Sequence, residues 1–157
     1  MLELYKPEFE DLWFKEKMMS DEETMFYNHL WGGKIPFERD KWADWYDCWI
    51  INHKNNRFYR YLKENETNEF VGEIAYHLDS ERNIWLANVT VYSKYRQKGY
   101  GTKGLNLLCE AAKKNGIKLL HDDIALDNPA ISIFLKAGFI EEYRTEEIIM
   151  VKKKLEY

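Results

Sequence analysis

The sequence is short of cysteine, proline and glycine, and it contains no long apolar run. Its 157 residues include only two cysteines, three prolines and eight glycines. Cys48 and Cys109 both fall within amphipathic helical patterns, which predicts free buried thiols rather than a disulfide framework. No apolar run approaches the roughly 20 residues that cross a bilayer, and the N-terminus lacks the pattern of a signal peptide. We therefore expect a cytoplasmic protein and, without linkers or repeats, a single domain over residues 1–157.

Acidic residues are missing from one stretch of an otherwise acidic chain. The formal net charge is −4, which disfavours a nucleic-acid-binding protein. None of the 27 Asp and Glu residues lies between Arg82 and Cys109. Four cations fall within this stretch: Lys94, Arg96, Lys98 and Lys103. Such a patch is usually a solvated face, but this one coincides with a glycine turn and is therefore a candidate anion site.

Hydrophobic periodicity predicts an α/β fold. Helical patterns begin after Pro7, at Asp21 and at Asp40. Alternating residues then predict strands near residues 57–63 and 69–78. Residues 83–92 are apolar on both faces, as in a central strand that is covered on both sides. Together these strands predict an antiparallel meander. In the second strand the alternation places Phe70, Gly72, Ile74, Tyr76 and Leu78 on one face, and Val71, Glu73, Ala75 and His77 on the other. The remaining pattern predicts, in order, a helix from about residue 100 to 114, a strand at 117–126, a helix at 129–136, and strands at 139–145 and 148–155.

A glycine-containing turn follows the strand that ends near Val91. Residues 96–101 read Arg-Gln-Lys-Gly-Tyr-Gly, and a helical pattern starts immediately afterwards. Glycine lets the backbone approach an anion closely, and a helix N-terminus attracts negative charge. The turn therefore predicts a site for a phosphate-bearing cofactor.

Three alternatives apply to this turn. Residues 99–104 also read G-x-G-x-x-G, with Asp122 and Asp123 a little over 20 residues later, as in dinucleotide-binding proteins. Against that interpretation, a basic segment separates the strand from the first glycine, and too little chain precedes the turn for a sheet of two halves. A phosphate-binding P-loop motif is absent from the sequence. A tight strand-to-helix turn without any ligand is the last alternative.

Two segments resemble the GNAT superfamily of N-acetyltransferases. Residues 96–101 match its R/Q-x-x-G-x-G/A motif, and Val91 stands where the family's fourth strand ends. Residues 127–139 resemble its N-x-x-A-I…Y-x-K-x-G-F segment. The resemblance implies a GNAT-like mixed central sheet of about six to seven strands, an antiparallel meander plus a parallel pair, flanked by about four to five helices.

The resemblance also implies acetyl-CoA as co-substrate. The backbone amides of the turn would hold its pyrophosphate, and the strand at Val89–Val91 would pair with its pantetheine arm. The amide of Val91 would polarise the thioester carbonyl. Carried over by position, the cofactor-binding residues are Val89, Val91, Arg96, Gln97, Lys98, Gly99, Gly101, Thr102, Asn128 and Phe134. Counting back from Gly138 places Asp127, rather than Asn128, at the family asparagine.

Acetyl transfer requires a neutral amine and therefore a proton acceptor. Glu73 and His77 share one face of a strand, next to the strand that ends at Val91. A solvent-facing polar side of the meander is the alternative interpretation of that face. Asp122 and Asp123 are rival carboxylates, because family members place a carboxylate in that strand.

The leaving thiolate and the acceptor pocket involve a further set of residues. Phe134 stands where many family members carry a tyrosine that protonates the thiolate. Tyr92 or Tyr143 could replace it, or no side chain at all. The N-terminal helical region covers the acceptor site in the family. The candidate substrate-binding residues are Trp31, Phe37 and Asn88.

The sequence thus predicts an acetyl-CoA-dependent N-acetyltransferase that acts on a primary amine of a small molecule or peptide. A CoA-binding module without catalysis is the alternative, and Phe134 is the residue that favours it. An oxidoreductase is a weaker one. Neither a metal nor a membrane partner is expected. The acceptor's identity and the oligomeric state, including a homodimer, stay open.

Overall fold

The computed structural model describes residues 1–155, apart from the side chain of residue 27, and seven strands in these residues form one mixed sheet. The strands are β1 (Leu2–Tyr5), β2 (Arg57–Glu64), β3 (Glu69–Asp79), β4 (Ile84–Val91), β5 (Leu119–Ala125), β6 (Ile140–Arg144) and β7 (Ile148–Lys154). They lie in the order β1-β2-β3-β4-β5-β7-β6. Strands β4 and β5 run parallel, and the other neighbouring pairs run antiparallel. The predicted meander and parallel pair are confirmed.

In the described part of the chain, five α-helices flank this sheet. They are α1 (Leu12–Ser20), α2 (Glu22–Met25), α3 (Trp42–Tyr46), α4 (Tyr100–Lys114) and α5 (Ala130–Lys136). Helix α2 continues as a 3₁₀ helix, Phe26–Trp31, and α3 as a π-helix, Asp47–Ile51. Asp21 caps α2 as predicted, because its carboxylate accepts the Thr24 amide. Within residues 1–155, no helix has the length and apolar character to cross a membrane.

The sheet separates two cores of different composition. On one face, α4 and α5 pack aliphatic and aromatic side chains such as Leu105, Leu108 and Phe134 onto the strands. On the other face, α1, α3 and the π-helix cover an aromatic cluster that includes Phe14 and Tyr59. The second face is the one that carries the Glu73 side chain. It is therefore covered by protein and is not a solvent-facing side of the meander.

A β-bulge in β3 corrects the predicted alternation of that strand. Leu62 lies opposite Gly72 and Lys63 opposite Phe70, so Val71 has no partner on β2. The extra residue exchanges the faces of its neighbours. Val71 packs in the core beneath α4, whereas Phe70 packs on the aromatic face. From Gly72 onward the predicted faces hold, and Glu73 keeps its place.

Candidate active site

A cleft of about 1200 Å³ opens between β4 and β5. The two strands pair only at Trp85–Leu120 and Leu86–His121, although both continue beyond these residues. Their inner edges then line the cleft from opposite sides, at residues 86–91 and 122–125. The N-termini of α4 and α5 and parts of the α1–α2 region complete the walls. A separated parallel pair thus exposes strand edges to a ligand.

Every second amide of β4 is directed into this cleft. The Tyr92 N–H donates to the Val71 carbonyl at 2.9 Å, so Tyr92 is bonded towards β3. Bonding directions alternate along a strand of an antiparallel pair, which turns the Val91 and Val89 amides away from β3. Both valines line the cleft. The strand therefore offers two backbone donors to an extended ligand.

The glycine turn adds further free donors at one end of the cleft. Gln97 and Gly99 adopt left-handed conformations, with φ of 65° and 81°, and α4 begins at Tyr100. The Lys103 amide donates to the Gly99 carbonyl at 3.2 Å and so makes the first bond of the helix. The three amides of residues 100–102 precede it and have no acceptor within the helix. Amides and helix dipole together form an anion site.

The cations of the turn are placed differently from the sequence expectation. The Arg96 guanidinium donates to the carbonyls of Val91, Glu23 and Thr24 at 3.3, 3.2 and 3.1 Å. It lines the cleft, but much of its hydrogen-bonding capacity goes to the backbone. The Lys98 side chain is exposed and lies outside the lining of the cleft, with its Nζ 5.9 Å from the Tyr95 ring centroid. The role of Lys98 as a source of positive charge for the cofactor stays a prediction.

A network that the motifs do not reveal joins α2 to the end of β4. The Asp21 carboxylate accepts the Ser93 hydroxyl at 2.6 Å and the Thr24 amide at 3.0 Å. The Ser93 amide in turn donates to the Thr24 hydroxyl at 2.9 Å. These bonds lower the pKa of Asp21, although its burial opposes the shift. Together with Arg96, they fix α2 over the glycine turn.

On the opposite side of the cleft, Glu73 is buried in an ion pair that the sequence did not predict. Its carboxylate lies 3.1 Å from the Lys15 Nζ, and each side chain is 8% exposed. Both residues line the cleft. Glu73 lies opposite Thr90, next to Val91, as the predicted strand order required. Sequence contained one signal for Lys15, since its spacing from Leu12 and Met19 places a charge on an apolar helical stripe.

The rival proton-transfer groups have distinct environments. Burial, followed by the charge of Asp123, raises the pKa of the cleft-lining Asp122 well above its usual value. Asp123 lies 3.4 Å from Arg82. Burial, followed by the nearby Arg57 charge, lowers the pKa of His77. The shift at Asp122 favours its protonated form, and the shift at His77 favours its neutral form.

The second sequence segment places Asn128, rather than Asp127, at the cleft. Asn128 lines the cleft, and its side-chain oxygen accepts the Ala130 amide at 2.9 Å, at the start of α5. Asp127 is instead exposed and paired with His29 at 2.9 Å. Phe134 also lines the cleft, with its ring 4.9 Å from that of Phe139. No hydroxyl stands at that position.

The candidate acceptor residues divide into two groups. Trp31, which is 49% exposed, and Asn88 line the cleft. Phe37 does not, because it packs in a buried cluster with Leu12 and Trp42. Tyr92 does not either, since its ring packs against Phe14 at 6.0 Å on the aromatic side. The expectations that placed Phe37 and Tyr92 in the site are therefore corrected, both because the aromatic core recruits these rings.

Comparison with known proteins identifies the family. The model of the GNAT family of acetyltransferases matches residues 2–139. The chain belongs to the GNAT family. No curated protein is similar enough in sequence to match it. The glycine turn, the separated strands and the β4 amides are thus elements of a GNAT acetyltransferase.

Solved structures agree with this fold at low sequence identity. The spermidine N-acetyltransferase from Vibrio cholerae, solved with CoA and spermine, superposes with a TM-score of 0.81 at 17% identity, over 98% of this chain and 95% of that one. A GNAT acetyltransferase from Bacillus anthracis gives 0.77 at 17% identity over the same shares. A putative acetyltransferase from Salmonella typhimurium, solved with acetyl-CoA, gives 0.72 at 15% identity, over 100% and 95%.

Proposed function

We propose that this GNAT protein transfers the acetyl group of acetyl-CoA to a primary amine of a small molecule or peptide. The observation that carries the proposal is the position of the free amides. Those of Val89 and Val91 face the cleft between β4 and β5, and those of residues 100–102 stand at one end of it. Two structural relatives were solved with CoA or acetyl-CoA bound, which supports the same ligand here.

In this proposal the backbone holds the donor. The amides of residues 97–102 receive the pyrophosphate, because the turn offers several N–H groups without intrahelical acceptors. The amides of Val89 and Val91 pair with the pantetheine arm as an added strand would. The Val91 amide then stabilises the negative charge that develops on the thioester oxygen. Asn128 and Phe134 line the neighbouring wall.

Proton transfers need two further groups. We assign removal of the amine proton to Glu73, a cleft-lining residue that lies opposite Thr90 in the strand register and whose carboxylate accepts a hydrogen bond from the Lys15 ammonium. We assign return of a proton to the departing thiolate to Asp122, a cleft-lining residue whose raised pKa favours the protonated form. Phe134 has no hydroxyl for that task, and neither Tyr92 nor Tyr143 lines the cleft. Because the usual pKa of a thiol is near 8.5, protonation of the departing thiolate is favourable at neutral pH and needs little catalysis.

Thermal unfolding with ligands tests the donor. A ligand present at about 100 times its Kd adds roughly 2.7 kcal/mol of stability. Acetyl-CoA should therefore raise the Tm, and NAD should not. Gly101→Leu should abolish the acetyl-CoA shift, because Gly101 lines the cleft and a Cβ there would already lie 3.0 Å from Ile133. Asn106→Leu, at an exposed position on the same helix, is the matched control and should keep the shift.

Thiol release tests the activity. A coupled assay across amines, aminoglycosides, amino acids and peptides should show CoA release with at least one acceptor. Binding of acetyl-CoA without release for any acceptor would favour the non-catalytic CoA-binding module. A shift with NAD in place of acetyl-CoA would favour the oxidoreductase. An unchanged acetyl-CoA shift in Gly101→Leu would show that the donor site lies elsewhere.

A further inference from the structure

The Lys15 ammonium occupies a cage of opposite charge and aromatic faces, in which Lys15 and Glu73 line the cleft and the aromatic rings lie behind them. Its Nζ lies 3.1 Å from the Glu73 carboxylate. The same atom lies 4.8 Å from the ring centroid of Tyr59, 4.9 Å from that of Trp45 and 5.9 Å from that of Phe37. The Tyr59 hydroxyl is buried and has no hydrogen-bond partner among the described residues.

This arrangement is complementary to a primary ammonium. A carboxylate neutralises the charge, and ring faces attract a desolvated cation electrostatically. Aromatic walls with a carboxylate are the type of site that proteins use to recognise ligand ammonium groups. Here, the guest is a side chain of the protein itself, delivered by α1 from 58 residues away in sequence. The cage is therefore already full when a substrate enters.

We propose that Lys15 is a specificity-determining residue, which fills an ammonium site of the acceptor cleft and so directs the enzyme to monoamines with an apolar body. The proposal rests on the function proposed above. A polyamine would bring a second ammonium towards a site that already holds one. Like charges at such close range disfavour binding, whereas an amine with an uncharged remainder meets no such repulsion.

The outer part of the cleft suits an apolar body. Met19, Met25, Trp31 and Ile35 line it, and Trp31 and Ile35 are 49% and 37% exposed. Among the carboxyl groups that line the cleft, Glu73 is paired with Lys15 and Asp123 lies beside Arg82, while burial raises the pKa of Asp122 and so favours its neutral form. Glu23 is exposed to solvent, where salt screens its attraction for a cation. Apolar contact, more than charge, is then available to hold the acceptor.

The test compares kcat/KM for 2-phenylethylamine, an apolar monoamine, and spermidine, a polyamine, in the wild type, Lys15→Ala and Lys17→Ala. The wild type should prefer 2-phenylethylamine. Lys15→Ala should shift the ratio towards spermidine by roughly tenfold or more, through a lower KM for spermidine, as expected for a vacated cation–π site. Lys17 is exposed on the same helix, so Lys17→Ala removes the same charge and should leave the ratio within about twofold. A loss of activity that affects both amines equally cancels in the ratio of their kcat/KM values.

A binding measurement tests the cage directly. n-Butylammonium should raise the Tm of Lys15→Ala and leave that of the wild type and Lys17→Ala unchanged. A wild type that prefers spermidine would overturn the proposal, even if Lys15→Ala does not fold. An unchanged substrate ratio in folded Lys15→Ala, or no response to n-butylammonium, would overturn it as well. If acetyl-CoA still raises the Tm in those cases, the proposed function stands without the inference; without that shift, the function itself fails.

Discussion

Replacing either partner of the Lys15–Glu73 pair should destabilise the protein, but by unequal amounts. Both side chains are 8% exposed, so each single substitution leaves a charge in a poorly solvated place. Such a loss typically costs about 3–5 kcal/mol. We expect Lys15→Met to reach this range, because the stranded carboxylate then faces aromatic rings that cannot stabilise an anion.

Glu73→Gln should cost less, because the aromatic cage continues to stabilise its guest. The Lys15 ammonium keeps the ring faces of Tyr59 and Trp45 at 4.8 and 4.9 Å. A desolvated cation–π contact contributes about 2 kcal/mol, which reduces the expected loss to about 1–3 kcal/mol. The glutamine oxygen also remains available to accept a hydrogen bond from the ammonium. Lys15→Met should therefore be the worse substitution by about 2 kcal/mol.

Urea unfolding of the wild type, both single variants and the double variant measures these differences. The double variant should lose less than the sum of the single losses, since it strands no charge. For a domain of this size, 3–5 kcal/mol corresponds to about 6–20 °C in Tm. Lys17→Met is the surface control and should change stability by at most about 0.5 kcal/mol. A Glu73→Gln loss equal to or larger than that of Lys15→Met, or additive losses, would refute the role given to the aromatic rings.

Three other substitutions test separate parts of the fold. Arg96→Gln should lower stability by about 1–3 kcal/mol, because carbonyls of α2 and Val91 lose a charged hydrogen-bond donor. Amide hydrogen exchange should become faster in residues 21–25. Unchanged protection there would contradict the proposal that Arg96 holds α2 over the glycine turn. Asp122→Asn should be more stable than the wild type, by a margin that grows as the pH rises from about 4. The raised native pKa of Asp122 makes the native state bind more protons than the unfolded state, so this group lowers wild-type stability as the pH rises. Urea midpoints of variant and wild type that differ equally at pH 4 and pH 8 would exclude this. Gly104→Ala should cost up to about 2 kcal/mol, since its Cβ would lie 2.6 Å from the Leu62 side chain. This overpacking outweighs the gain in helix propensity of about 1 kcal/mol. A net gain in stability would show that Leu62 moves freely.

Much of the fold could be predicted from local sequence patterns, and two strands of the meander illustrate this. The predicted strand at 57–63 corresponds to β2, and that at 69–78 to β3, with ends shifted by one residue. The bulge at Val71 could not be predicted in the same way. Phe70 and Val71 are both apolar, so either can face either core, and only the register against β2 decides between them.

The parts of the candidate site that sequence predicts most directly are the backbone conformations of the turn and the end of β4. Gly99 and Gln97 adopt the left-handed conformations that the turn needs, and Val91 ends its strand where the motif spacing put it. The positions of side chains are harder to predict from the sequence, because they depend on elements that are distant along the chain. Arg96 is bound by carbonyls of α2, more than 70 residues earlier in the chain. No local sequence pattern indicates that contact.

The two sides of the cleft therefore differ in how they can be recognised. The proposed donor side presents amides of β4 and α4, and glycines and a strand end mark such a site in the local sequence. The proposed acceptor side is built from side chains of α1, β3 and the segment after α2, which meet only in the folded protein. Lys15 illustrates the consequence, since the sequence shows only a charge on an apolar stripe, whereas the structure surrounds it with Glu73 and the rings. We therefore infer the acceptor from the three-dimensional charge balance of the cleft, which in our proposal is set by the Lys15 ammonium.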